Sequence, residues 1–158
     1  MRQAPFRLGL ALTVGLIVGF TFCGLLLLTR IVLRISLPEA VRNTDDFRLA
    51  FFVTQIAVAA LMQAGAAALV AAWVQRLGAI HGLFSAFVAG CLMTVGVLTL
   101  NLVFGGTVDL QFAWNTFSQV VNEGGLLAIP VAWIVAGFAD LVRHIRNNQR
   151  LFPQHQIA

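Results

Sequence analysis

The chain has 158 residues, of which 59% are hydrophobic and only 10% charged. A soluble domain carries roughly 25% charge because it needs a solvated surface, so most of this surface must face lipid. The net charge of +4 comes from ten arginines gathered mainly at the ends of apolar runs, where they reach headgroup phosphates and set topology. No basic stretch is interleaved with exposed aromatics, so a nucleic-acid partner is not expected.

The N-terminus carries Arg2 and Arg7 and then an apolar run, read as a first span over residues 8–29. A charged start resembles a signal peptide, but a signal h-region holds only about 7–15 residues. An uncleaved span is expected. Gly15 and Gly19 form a G-x-x-x-G, and Ala11 and Cys23 extend it at the same spacing, so one stripe of this helix is small. That stripe suits packing inside the bundle; the alternative is contact with another copy or a larger complex.

Arg30 and Arg34 close the first span one helical turn apart. The following segment carries Glu39, Asp45 and Asp46, and Pro38 interrupts any continuous helix. Asn43-Thr44-Asp45-Asp46 offers N-cap chemistry for the next helix. A structured loop on the membrane surface is expected here.

Spans two and three, residues 49–74 and 78–104, are joined only by Gln75, Arg76 and Leu77. Each exceeds the roughly 20 residues needed to cross a hydrocarbon core about 30 Å thick, so the pair reads as an antiparallel hairpin. Span two repeats the small stripe at Ala60, Ala64, Ala68 and Ala72, and span three at Gly82, Ala86, Gly90 and Thr94. Three amides fall within these spans: Gln55 and Asn101 towards one end, and Gln63 near mid-depth. Gln55 and Asn101 lie at similar depths, so they can share a hydrogen bond as interhelical glue. The sharper alternative is a polar pocket lined by Gln55, Gln63 and Asn101 that takes a lipid headgroup, quinone or small solute.

Gly105-Gly106 ends span three. From Val108 to Val121 the residues Leu110, Ala113, Trp114, Phe117, Val120 and Val121 share one helical face, with Asp109, Gln111, Asn115 and Gln119 elsewhere. This predicts a short amphipathic helix in the interface, with a re-entrant segment as the alternative. Asn122-Glu123-Gly124-Gly125 should separate it from the fourth span, residues 125–142. That span is short, and a start near Val120 would make Pro130 internal. Its small stripe is Ala128, Ala132 and Ala136.

Four spans put both termini on one side. That side holds six arginines and the other four, all in the first loop beside three acids. The positive-inside rule then predicts a cell-membrane protein with both termini cytoplasmic.

Ionisable groups at mid-membrane depth point to function because they are costly there, and no span carries one near its middle. His81 lies near an interface and His144 and His155 lie in or beside the tail, so a buried haem lacks its ligand pair. No metal-ligand or nucleophile–base spacing appears, and no cofactor is expected. Cys23 and Cys91 fall at different depths and should be free thiols. Asp140 sits three and four residues before Arg143 and His144, spacings that favour a structural ion pair at a helix C-terminus. Arg143, Arg146 and Arg150 share a face suited to anionic lipid.

The expected fold is an all-α, four-span transmembrane helix bundle in one domain, with an interfacial helix before span four. The expected function is non-catalytic: an accessory subunit, scaffold or membrane-anchoring module. Its expected partners are membrane lipid and a larger complex or homo-oligomer. A small-molecule or lipid-binding transport component is the alternative.

Overall fold

A computed structural model describes residues 3–74 and 77–151 of the chain. Arg2, Gln75, Arg76, His155 and the side chain of Arg150 lie outside what is described. Among the described residues the protein is all-helical: α1 (Gln3–Ser36), α2 (Glu39–Arg42), α3 (Asp45–Trp73), α4 (Gly78–Val103) and α5 (Leu110–Leu151). Four of these, all but α2, are long and apolar enough to cross a membrane. The chain is a multi-pass membrane protein.

Local chemistry accounts for several boundaries. Pro38 stands at the N-cap of the one-turn α2, and Thr44 caps α3 by accepting a hydrogen bond from the Phe47 N–H. Asp45 and Asp46 occupy the first turn of α3, where the helix dipole favours negative charge. Leu77 precedes α4 with φ +59°, a left-handed conformation that is costly for a residue with a Cβ.

The helices α3 and α4 form the centre, with α1 and α5 on opposite flanks: α1 packs mainly on α4, and α5 packs on both central helices. Small residues permit the close approach. A Cβ added at Gly82 would lie 2.5 Å from the Ala67 carbonyl oxygen, and one at Gly78 would lie 2.7 Å from that of Ala71. Gly82, Ala86, Gly90 and Thr94 are all buried, but on α3 the buried face differs from the expected stripe. It comprises Ala59, Gln63, Ala64, Ala66, Ala67, Val70 and Ala71, while Ala60, Ala68 and Ala72 are only half-buried. The cause is that α3 serves α4, α5 and, more lightly, α1, so its inward face is wider than a single row four residues apart.

The largest departure concerns the expected short interfacial helix. Residues 110–121 are helical, but the helix continues without interruption through Asn122-Glu123-Gly124-Gly125 into the fourth span, giving a 42-residue α5 with Pro130 inside it. Both glycines are helical, and at Gly124 a neighbour occupies the space a side chain would take, whereas the space beside Gly125 is open. Gly124 is pressed against Gln63 of α3, so tertiary contact outweighs the roughly 1 kcal/mol that a helical glycine costs.

Candidate functional site

Two polar constructions stand out in this apolar frame. The first is a clamp around Gln63, which is 1% exposed. Its Nε2 donates to the Val120 carbonyl oxygen of α5 at 2.9 Å and approaches the Met93 sulfur at 3.9 Å. Glycines make the room: a Cβ at Gly90 would lie 2.8 Å from Gln63 Oε1, and one at Gly124 would overlap the amide itself. An unpaired amide in hydrocarbon is costly. Here a backbone carbonyl, already part of the α5 helix, serves as acceptor. The amide thereby ties the central helix α3 to α5 between two glycines.

The second construction lies where α1, α2, α3 and α4 meet. A cavity of about 360 Å³ is lined by Arg30, Arg34, Arg42, Glu39, Phe47, Phe51 and Phe104, among others. The guanidinium of Arg30 stands 5.9 Å from the centre of the Phe51 ring and 5.8 Å from that of Phe104, and Arg34 also sits 5.8 Å from Phe104. Phe47 and Phe51 stack with centroids 6.1 Å apart. Arg42 is anchored by its Nε, which donates to the Leu37 carbonyl at 3.1 Å. Among the described residues, no carboxylate pairs with these three arginines, unlike Arg143, which pairs with Asp140. The Arg30 Nε is buried with no hydrogen-bond partner. Aromatic faces therefore hold Arg30 and Arg34, and the three arginines with one carboxylate, Glu39, line a cavity carrying excess positive charge.

The structure disperses the three amides that the sequence reading grouped into one pocket. Gln63 is enclosed as described. Asn101 donates to the Thr107 carbonyl at 3.2 Å, closing the turn after α4, so it does not meet Gln55. Gln55 has a buried Nε2 with no partner and borders two small cavities, one with Thr116, Gln119 and Phe22 and one between α1 and α3. The separation arises because Asn101 bends away to the glycine turn, where its side chain fills the space beside Gly106.

Gly15 and Gly19 face α4. A Cβ at Gly15 would lie 2.6 Å from the Ser85 carbonyl oxygen, and one at Gly19 would lie 2.8 Å from the Leu92 Cβ. Cys23 continues the stripe against Leu92 and Gly96 of α4, and both cysteines are free thiols. Asp140 accepts from Arg143 at 2.9 Å. The same Arg143 reaches across to α3 and donates to the Ala72 carbonyl, one of the last four carbonyls that a helix leaves without an internal partner. His144 is adjacent in sequence to this pair.

The arginine–phenylalanine cavity was not singled out from sequence. Its signal was present in part, as arginines four residues apart followed by a proline break and a third arginine. Nothing local told that Phe51 and Phe104 would stack on them. Among the described residues, no three His, Cys, Asp or Glu side chains gather into a group that could hold a metal ion. No protein-family model, curated protein or solved structure matches this chain.

Proposed function

We propose that this chain is a non-catalytic membrane module: an accessory subunit, scaffold or anchoring unit that acts through helix surfaces. The supporting observation is the Gln63 clamp. The most deeply set amide in the bundle is spent on holding α3 to α5, flanked by the Met93 thioether and two glycines, which is an arrangement for cohesion. Large apolar side chains such as Phe20, Trp133, Ile134 and Phe138 remain exposed on the flanking helices α1 and α5. Those faces suit lipid, a larger membrane complex or a second copy. In this reading both termini are cytoplasmic, as the arginine asymmetry favours. The start of α5, with the Trp114 and Phe117 rings 5.9 Å apart, lies at headgroup level as an amphipathic segment.

A small-molecule or lipid-binding transport component is the second reading, favoured by the unpartnered Gln55 amide beside two cavities. Purification in mild detergent followed by intact-complex mass spectrometry separates the two. Recovery of a stable protein partner or a homo-oligomer supports the module. A bound small molecule whose retention requires Gln55, with no protein partner, supports the transport component.

A further inference from the structure

We propose that the cavity of Arg30, Arg34 and Arg42 is a binding site for an anionic glycerophospholipid, its phosphate held by the guanidinium groups and one acyl chain lying in the groove between α1 and α3. The headgroup half rests on charge and order. Three arginines and one carboxylate, Glu39, line the cavity, and none of the arginines is ion-paired among the described residues. Surface arginines that merely reach for water or lipid keep their rotamer freedom. Here Arg30 is held beside both Phe51 and Phe104, Arg34 beside Phe104, and Arg42 is tied to the Leu37 carbonyl. A planar guanidinium held this way is preorganised for bidentate contact with a phosphate. Among the described residues Arg30 also has a buried Nε without a partner, so it bears the cost of desolvation with no counter-ion from them.

The tail half rests on continuity. Phe51 lines the arginine cavity and also a second one of about 90 Å³, bordered by Phe22, Leu25, Leu26, Thr54 and Val58. This groove runs from the level of Arg30 towards the middle of the bundle along residues 22–29 of α1 and 51–58 of α3. It exists because α1 packs on α4 and only lightly on α3. Its surface is mostly apolar: the Thr29 and Thr54 hydroxyls are bonded to backbone carbonyls, and Gln55 is the one amide beside it. A polar, cationic chamber opening onto an apolar groove matches an amphiphile, whereas a free anion would use only the chamber.

The test uses the full chain in neutral detergent, titrated with dioleoyl phosphatidylglycerol. Dioleoyl phosphatidylcholine and inorganic phosphate serve as comparisons, and the readouts are intact-complex mass spectrometry and melting temperature. Phosphatidylglycerol should be retained about tenfold more strongly than phosphatidylcholine, since each arginine contributes near an anionic headgroup. Arg34→Gln, at an exposed position, should lower that preference about fivefold. Arg48→Gln, in the first turn of α3 and not among the residues that line the cavity, should leave it unchanged. Val58→Trp should fill the groove and reduce lipid retention without affecting inorganic phosphate. Arg30→Gln should abolish the preference; if that variant does not fold, Arg34→Gln and Val58→Trp carry the test. Equal retention of the two lipids would overturn the proposal. So would an Arg48→Gln loss equal to that of Arg34→Gln, which would mean diffuse surface charge. Inorganic phosphate matching the lipid, with Val58→Trp silent, would indicate a free-anion site and overturn it as well.

Discussion

Gln63 in α3 donates its side-chain N–H to the backbone carbonyl of Val120 in α5 at 2.9 Å, in a space left by Gly90 and Gly124. This one contact links the sequence-distant glycines to the central amide and accounts for the course of α5. Gln63→Ala should destabilise the bundle by about 1–2 kcal/mol in detergent unfolding, from a lost interhelical hydrogen bond and a cavity. Gly124→Ala should cost about 1–3 kcal/mol by overpacking. Because the two act on the same space, the double variant should lie closer to wild type than the sum, with a coupling of at least about 0.5 kcal/mol. Strict additivity would show that the clamp does not exist.

The small stripe of α1 provides a second test. Gly15→Leu with Gly19→Leu should lower the melting temperature of the isolated monomer, at about 1–3 kcal/mol per site, since both positions press on α4. Gly24→Leu, with open space around it, serves as the matched control and should be nearly neutral. If the double variant melts normally while a larger species dissociates, the stripe serves a partner instead.

The continuity of α5 is directly measurable. Spin labels at Leu110 and Leu127 should be about 26 Å apart with a narrow distribution, the span of a straight helix at 1.5 Å per residue. A short, broad distribution would restore a break at Asn122-Glu123-Gly124-Gly125 and a separate interfacial helix.

At the other end of α5, the two roles of Arg143 differ in weight. Asp140 is 64% exposed, so Asp140→Asn should change stability by less than about 1 kcal/mol, with an effect that fades in high salt. Arg143→Met removes the donor to the Ala72 carbonyl as well and should cost more, about 1–2 kcal/mol, largely independent of salt. Equal and equally salt-sensitive losses would mean that only the ion pair counts.

Topology follows from four crossings. Single cysteines at Asn43 and Asn147, in a background lacking Cys23 and Cys91, should react with an impermeant thiol reagent from opposite sides of the membrane. Reaction of both from one side would be incompatible with four crossings.

Much of this architecture is legible in the residues themselves, and the exceptions share a cause. The four apolar runs, the short connection between α3 and α4, the Thr44 cap and the Asp140–Arg143 pair all rest on interactions within a few residues or on total apolar length. Those depend on local chemistry and on the thickness of a bilayer, so a sequence determines them alone. Which face of each helix turns inward does not follow in the same way. In water an apolar stripe marks the buried side, but in lipid both sides are apolar, and small residues only permit close approach without naming the neighbour. The tertiary structure therefore decided that Gln63 meets Val120 and not another amide, and that Asn101 closes its own turn. It also held Gly124 against Gln63 in a helix that a glycine disfavours, and brought Phe51 and Phe104, 53 positions apart in the chain, to the guanidinium of Arg30. Each of these outcomes depends on the space that a distant helix leaves or fills, and that space exists only once the bundle has packed.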